Sequence, residues 1–302
     1  MRITGTFLDA VVADIPANNW GPKEWAADFD AMAAIGIDTV ILIRTGWGDR
    51  ACFDSPALSK HHRLMPAYQN QLAMFLDEAE RCGMDFWFGG FDSVEWRRND
   101  GHEEEVRTNI ALAEEVVGKH GARTAFKGWY LVHEVPKFHE GAAHIYEHLA
   151  VRLKELRDQP ILISPWINGL PRMEEYVTPA EHEATWDRMF QRIGKLVDIC
   201  AFQDGLTRLL DLPDYLAANT RVLQRHGVRC WTNVETFERG AVPMKFWPID
   251  WRNLRYKMEA AEAAGAEKLI TFEFSHFMSP NSMYASARCL YDRYREWMEA
   301  AG

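Results

Sequence analysis

Short runs of continuous apolar residues alternate along this chain with longer stretches of helical periodicity, and the alternation repeats eight times. The apolar runs predict strands at Ile3–Leu8, Thr39–Ile43, Met84–Gly89, Lys127–Glu134, Pro160–Ser164, Ile199–Gln203, Val228–Glu235 and Lys268–Phe272. Runs without polar interruption suit strands buried on both faces, as in parallel sheets. The periodic stretches predict helices at Pro22–Ile35, Gln69–Arg81, His102–Lys119, Gly141–Arg157, Pro179–Lys195, Pro213–His226, Trp251–Ala264 and Met283–Ala300. Punctuation agrees with these limits. Pro22 opens a helix and Gly36 closes it, Thr178 precedes Pro179 as an N-cap, and Gly83, Gly227 and Gly265 follow helix ends. Strand-then-helix repetition means parallel strands joined by right-handed crossovers, and eight units close the sheet. The expected fold is a single (β/α)8 TIM barrel in the α/β class, one domain over residues 1–302. A doubly wound open sheet is the alternative, but no Gly-rich phosphate loop of either common type occurs.

Composition narrows the function classes. With 302 residues and 47% hydrophobic content, the chain is long enough for one large core. A net charge of −10 argues against nucleic acid, which rewards basic patches, and favours a neutral or cationic substrate. No segment approaches the ~18 consecutive apolar residues of a membrane span. The N-terminus runs straight into a strand without a signal-peptide stretch. The five cysteines, Cys52, Cys82, Cys200, Cys230 and Cys289, are scattered, odd in number and form no CxxC pair, so reduced and mostly buried thiols in a cytoplasmic protein are expected.

Candidate chemistry gathers at the strand tips, where barrel sites are assembled. Asp9, Arg44, Asp92, Glu134, Asn168, Asp204, Glu235 and Glu273 stand there, and Ser275 and His276 follow the last. Any one alone reads as an ordinary loop polar residue; their shared level is the signal. Glu134 shares its facing with Tyr130 and Val132, and Glu235 with Trp231 and Asn233, because strand side chains alternate. Each glutamate follows apolar or weakly hydrated neighbours, so each needs a partner, a substrate or a proton. Two carboxyl groups across a barrel mouth are the equipment for cleaving a glycosidic bond. The plainer reading is a pair of buried salt bridges, for instance with Arg44. Twelve tryptophans are present. Trp47, Trp96, Trp166 and Trp247 fall in loops after strands, and Trp166 and Trp247 are the leading candidates for a sugar-stacking platform. Trp25, Trp186, Trp251 and Trp297 fall on helices as core.

Gly5-Thr-Phe-Leu-Asp9, Asn19-Trp20, Asp38-Thr-Val-Ile-Leu-Ile-Arg44 and Glu235-Thr-Phe-Glu238 carry a resemblance to a bacterial family of glycosidase-like barrels of uncharacterised function. The strand order also resembles the clan A retaining glycosidases, whose acid/base glutamate ends strand 4 and whose nucleophilic glutamate ends strand 7. The resemblance implies Glu134 as acid/base and Glu235 as nucleophile, with Arg44 or Tyr130 orienting the nucleophile. Asp9, Arg44, His133, Trp166, Asn168, Asp204, Trp247, Glu273 and His276 are expected to bind a carbohydrate substrate, with no cofactor and no metal. Clan A enzymes usually carry Asn before the acid/base, where it contacts the sugar 2-hydroxyl. Here that position is His133, which can also donate a hydrogen bond. A retaining reaction requires the two carboxyl groups about 5–5.5 Å apart, and inversion about 6.5–9.5 Å.

Two other classes compete. A sugar isomerase or epimerase would ring a divalent cation with Glu134, Asp204, Glu273 and His276. Against it, His133, His139 and His144 make no ligand spacing of high specificity, and His61-His62 reads as a loop pair. A non-catalytic carbohydrate-binding barrel would keep the tryptophans and lack a close carboxylate pair. Ser or Cys nucleophilic catalysis has no motif behind it.

Overall fold

A computed structural model of the chain describes residues 1–12, 16–97, 101–239 and 245–301. The strands that form the barrel are β1 (Ile3–Leu8), β2 (Thr39–Leu42), β3 (Asp85–Gly89), β4 (Phe126–Leu131), β5 (Ile161–Ile163), β6 (Ile199–Gln203), β7 (Arg229–Asn233) and β8 (Lys268–Thr271). Each pairs in parallel with its sequence neighbours, and β8 closes on β1 through Ile3↔Leu269 and Thr6↔Thr271. The helices are α1 (Pro22–Ala34), α2 (Gln71–Cys82), α3 (His102–His120), α4 (Glu140–Leu156), α5 (Pro179–Ile193), α6 (Leu212–His226), α7 (Trp251–Ala263) and α8 (Ala285–Ala301). This is the (β/α)8 barrel the alternation predicts.

Local chemistry explains the boundaries. Thr178 and Glu181 form a reciprocal capping box ahead of Pro179, satisfying orphan donors at the start of α5. Gly83 and Gly227 end α2 and α6 in the left-handed region, at φ 68° and 70°, where a side chain would be strained. The barrel lumen is filled by Phe7, Ile41, Trp87, Tyr130, Leu162, Ile199, Trp231 and Ile270 with their neighbours, a packed core and not a pore. A larger apolar layer between strands and helices includes Trp25 and Trp186, both fully buried, while Trp251 and Trp297 pack against it partly exposed. Among the described residues all five cysteines are free; Cys52, Cys200 and Cys230 are buried and Cys289 is exposed.

The structure departs from the expected limits at the rim. β4 ends at Leu131 and β7 at Asn233, so Glu134 and Glu235 stand just beyond their strands and not within them. The loops there carry ordered pieces that periodicity does not announce. Gly46–Trp47 pairs with Arg50–Ala51 and Phe91–Asp92, Phe237–Arg239 forms a ribbon with Phe246–Pro248, and Phe274–Phe277 is a short helix. Each is too short for a repeat of two or 3.6 to register.

Candidate active site

At the C-terminal end of the strands opens a cleft. Asp9, Arg44, Glu134, Gln203, Asn233, Glu235 and Arg239 supply its polar lining, and Phe7, Phe237, Phe246 and Phe272 its aromatic wall. Glu134 enters from β4 and Glu235 from β7, with β5 and β6 between them around the barrel.

The two glutamates have different surroundings. The Tyr130 hydroxyl donates to Glu134 Oε1 at 2.7 Å. Burial pushes the Glu134 carboxyl above its ordinary value, against the opposing pull of Arg44, Tyr130 and Gln203. Glu235 is buried at 2% exposure and meets Arg239 in a two-point ion pair, Nη1 to Oε2 at 2.6 Å and Nη2 to Oε1 at 3.3 Å. Phe237 and Phe246, packed edge-to-face on each other at 4.6 Å, both lie against that guanidinium, 4.8 and 5.5 Å from its carbon to the ring centres. Gly205 leaves room for the pair in this position, because a Cβ there would stand 1.3 Å from Glu235 Oε2 and the carboxylate would have to shift.

Beneath Glu235 lies a buried ion pair. Lys257 Nζ reaches Asp204 Oδ1 at 2.7 Å and the Glu235 carbonyl at 3.1 Å, and Asp204 Oδ1 also accepts the Glu235 backbone N–H at 3.0 Å. Lys257 belongs to the buried stripe Leu254, Lys257, Met258, Ala261 of α7. A charge within such a stripe is the sequence signal of a fixed partner, and it was available to be read. Asp9 holds one oxygen against the backbone N–H groups of Val11 and Val12, 3.2 Å each, and burial pushes its carboxyl up despite Arg44 and His276 nearby. Burial disfavours the Arg44 charge, but Glu134, Asp9 and Asp92 outweigh it and hold its pKa above the ordinary value.

Of the sequence-predicted residues, the cleft brings together Glu134, Glu235, Asp9 and Arg44. The expectation that Arg44 or Tyr130 orients Glu235 is corrected: both attend Glu134, and Arg239 attends Glu235. His133 faces the helix layer, where its Nε2 meets Glu105 Oε1 of α3 at 2.7 Å, because alternation that aims Glu134 inward aims its neighbour outward. It therefore lies outside the cleft, away from the sugar contact the resemblance implied. Asn168 ties its own loop together through the Glu175 carbonyl, and Asp204 acts below Glu235, outside the lining. Glu273 caps the short helix Phe274–Phe277 and meets His276 Nδ1 at 2.7 Å, both fully buried. Trp166 bridges Gln203, and Trp247 is 43% exposed on the ribbon opposite Glu238; neither lines the cleft, whose wall is phenylalanine. Arg239, Phe237 and Phe246 come from the ribbon, which periodicity does not announce, whereas Phe7 lies in β1, Gln203 ends β6 and Phe272 follows β8, on the lumen facing that strand alternation marks.

Glu134, Asp204, Glu273 and His276 do not converge as a cation ring would require: Glu134 is held by Tyr130, Asp204 by Lys257, and Glu273 and His276 by each other. Among the described residues, no group of three or more His, Cys, Asp or Glu side chains is arranged to hold a metal ion. Among them, too, no helix is long and apolar enough to cross a membrane.

Residues 3–284 match the model of a family described as a domain of unknown function (DUF4434). The chain belongs to this family. It is similar at 41% identity, over 99% of its own length and 96% of the other, to a crystal structure from Bacteroides thetaiotaomicron VPI-5482 described as "a putative alpha-L-fucosidase", with a TM-score of 0.93. Two more distant likenesses carry the fold alone. A GH18 chitinase from Pseudoalteromonas aurantia shares 11% identity, covering 96% of this chain and 99% of that one, with a TM-score of 0.58. A GH26 β-mannanase from Bacteroides ovatus shares 12%, covering 97% and 88%, with a TM-score of 0.59. No curated protein matches the sequence. The family thus has a barrel of the kind that glycoside hydrolases use.

Proposed function

We propose that this chain hydrolyses a glycosidic bond in a small oligosaccharide or glycoside, with retention at the anomeric carbon. The observation that carries the reading is one cleft lined by two carboxyl groups in opposite settings. Glu134 is pushed by burial toward holding its proton, and Glu235 is locked by a guanidinium. In this reading a Glu235 oxygen attacks the anomeric carbon while the bond to the leaving oxygen breaks and that oxygen takes the Glu134 proton. The resulting glycosyl ester neutralises Glu235. Glu134, now ionised, removes a proton from water, which attacks the same carbon and frees Glu235. The aromatic wall of Phe7, Phe237, Phe246 and Phe272 supports a ring-shaped, largely apolar-faced substrate.

One observation favours a second assignment, with the roles exchanged. The Tyr130 hydroxyl and the Arg44 charge at Glu134 are also what a carboxylate nucleophile would use. The test of the activity itself is a panel of aryl glycosides, α-L-fucosides first because of the relative's description. Either Glu134→Gln or Glu235→Gln is expected to lower kcat/KM at least about 10³-fold, a loss of roughly 4 kcal/mol of transition-state stabilisation. Turnover by the parent protein that both variants retain would refute the assignment.

A further inference from the structure

Next to the cleft lies a second concavity that the proposed chemistry does not use. It is an open groove on the same rim, between the loops after β1 and β2. Asn19 and Trp20 wall it from the first loop, and Tyr68 and Gln69 from the second, with Gln71 at the start of α2. Among the described residues its lining carries no carboxylate, guanidinium, ammonium or imidazole.

Two features separate it from an ordinary surface dip. Tyr68 is 95% exposed, so its ring is presented to solvent and packed on nothing of comparable size. A single exposed aromatic is ordinary on a protein surface; this one shares its groove with a second aromatic, Trp20. Trp20, opposite, is fixed, with its ring edge-on to Trp25 at 5.1 Å, and the Gln69 side-chain amide joins the two loops by donating to the Trp20 carbonyl at 3.3 Å. The groove is also continuous with the cleft in sequence. Asp9 and Val12 line the cleft, while Ala10 lines the groove.

Aromatic faces flanked by neutral amides fit a neutral pyranose: the rings cover C–H faces, and the amides donate to and accept from hydroxyls. The absence of cations and the net charge of −10 disfavour an acidic sugar. We infer that this groove is an added subsite for a neutral sugar unit of the chain whose end occupies the cleft, so that affinity grows with oligosaccharide length. The inference rests on the hydrolase reading for its substrate class but makes its own claim about binding.

The test is calorimetric titration of Glu134→Gln protein, and of the same protein carrying Tyr68→Ala, with ladders of one to five units. The ladders are β-1,4-linked glucose, mannose, xylose and N-acetylglucosamine, and free fucose is compared with fucosylated trisaccharides. The expected result is that Kd tightens with length on at least one ladder and that Tyr68→Ala removes that gain, roughly three- to tenfold, with thermal unfolding unchanged. Affinity independent of length or of Tyr68, or no binding on any ladder, overturns the subsite. Turnover of aryl glycosides without length dependence would leave the hydrolase standing and the subsite refuted. Length-dependent binding without turnover of any glycoside would do the reverse.

Discussion

Asp28 sits on the buried face of α1 with Ser279 donating to its Oδ1 and no partner on Oδ2 among the described residues. Burial raises its carboxyl from the ordinary 3.8 to about 6, against the hydrogen bond of Ser279 and the nearby Ser275 hydroxyl. The folded state therefore binds this proton more tightly than the unfolded chain. Stability from the group is complete below pH ~4 and is lost as pH rises through about 6. Asp28→Asn is expected to gain on the parent by roughly 3 kcal/mol between pH 4 and pH 6, read by urea unfolding at each pH. A parallel pair of curves would exclude the effect. At Glu134 the sign concerns activity. The Tyr130 hydrogen bond favours the charged form, so Tyr130→Phe should raise the Glu134 pKa and move the alkaline limb of kcat/KM to higher pH. An unmoved limb means that Glu134 is not the acid.

At the scale of elements, the Phe237–Arg239 ribbon and the turn after β6 act together on Glu235. The ribbon brings the guanidinium, and Gly205 leaves room for the carboxylate to meet it. Gly205→Ala places a methyl where Oε2 now lies, so the carboxylate must move by an ångström or more while the fold persists. The expected consequence is a fall in kcat of about 10²-fold with an unchanged circular dichroism spectrum. Wild-type kcat in that variant would show that the observed Glu235 position is immaterial. The α7 stripe serves the same residue from below through Lys257 and Asp204, so a helix and a loop hold one glutamate from two sides.

Over the whole molecule, the parts legible in the sequence are those set by repetition. The eight apolar runs and their helices read directly, since strands covered on both faces leave no polar positions to obscure them. Strand parity carried further: it placed Tyr130 and Val132 in the lumen and Glu134 and Glu235 at one rim. The same parity sends His133 to Glu105, although the resemblance had drawn it toward the sugar. Pairing between loops is not legible, because Arg239, Phe237 and Phe246 depend on how the ribbon closes in three dimensions, whereas Gln203 and Phe272 share the facing of the lumen residues Ile199 and Ile270. Trp166 and Trp247 drew notice by residue type, and type alone did not locate the wall.

The central claim is that Glu235 and Glu134 serve one sugar as nucleophile and acid. It is tested most directly by trapping the covalent intermediate with a 2-deoxy-2-fluoro glycoside of the sugar that turns over, followed by peptide mass spectrometry. One glycosyl adduct is expected, on the peptide carrying Glu235, and none in Glu235→Gln. An adduct on Glu134, or steady turnover with no adduct on either, contradicts it.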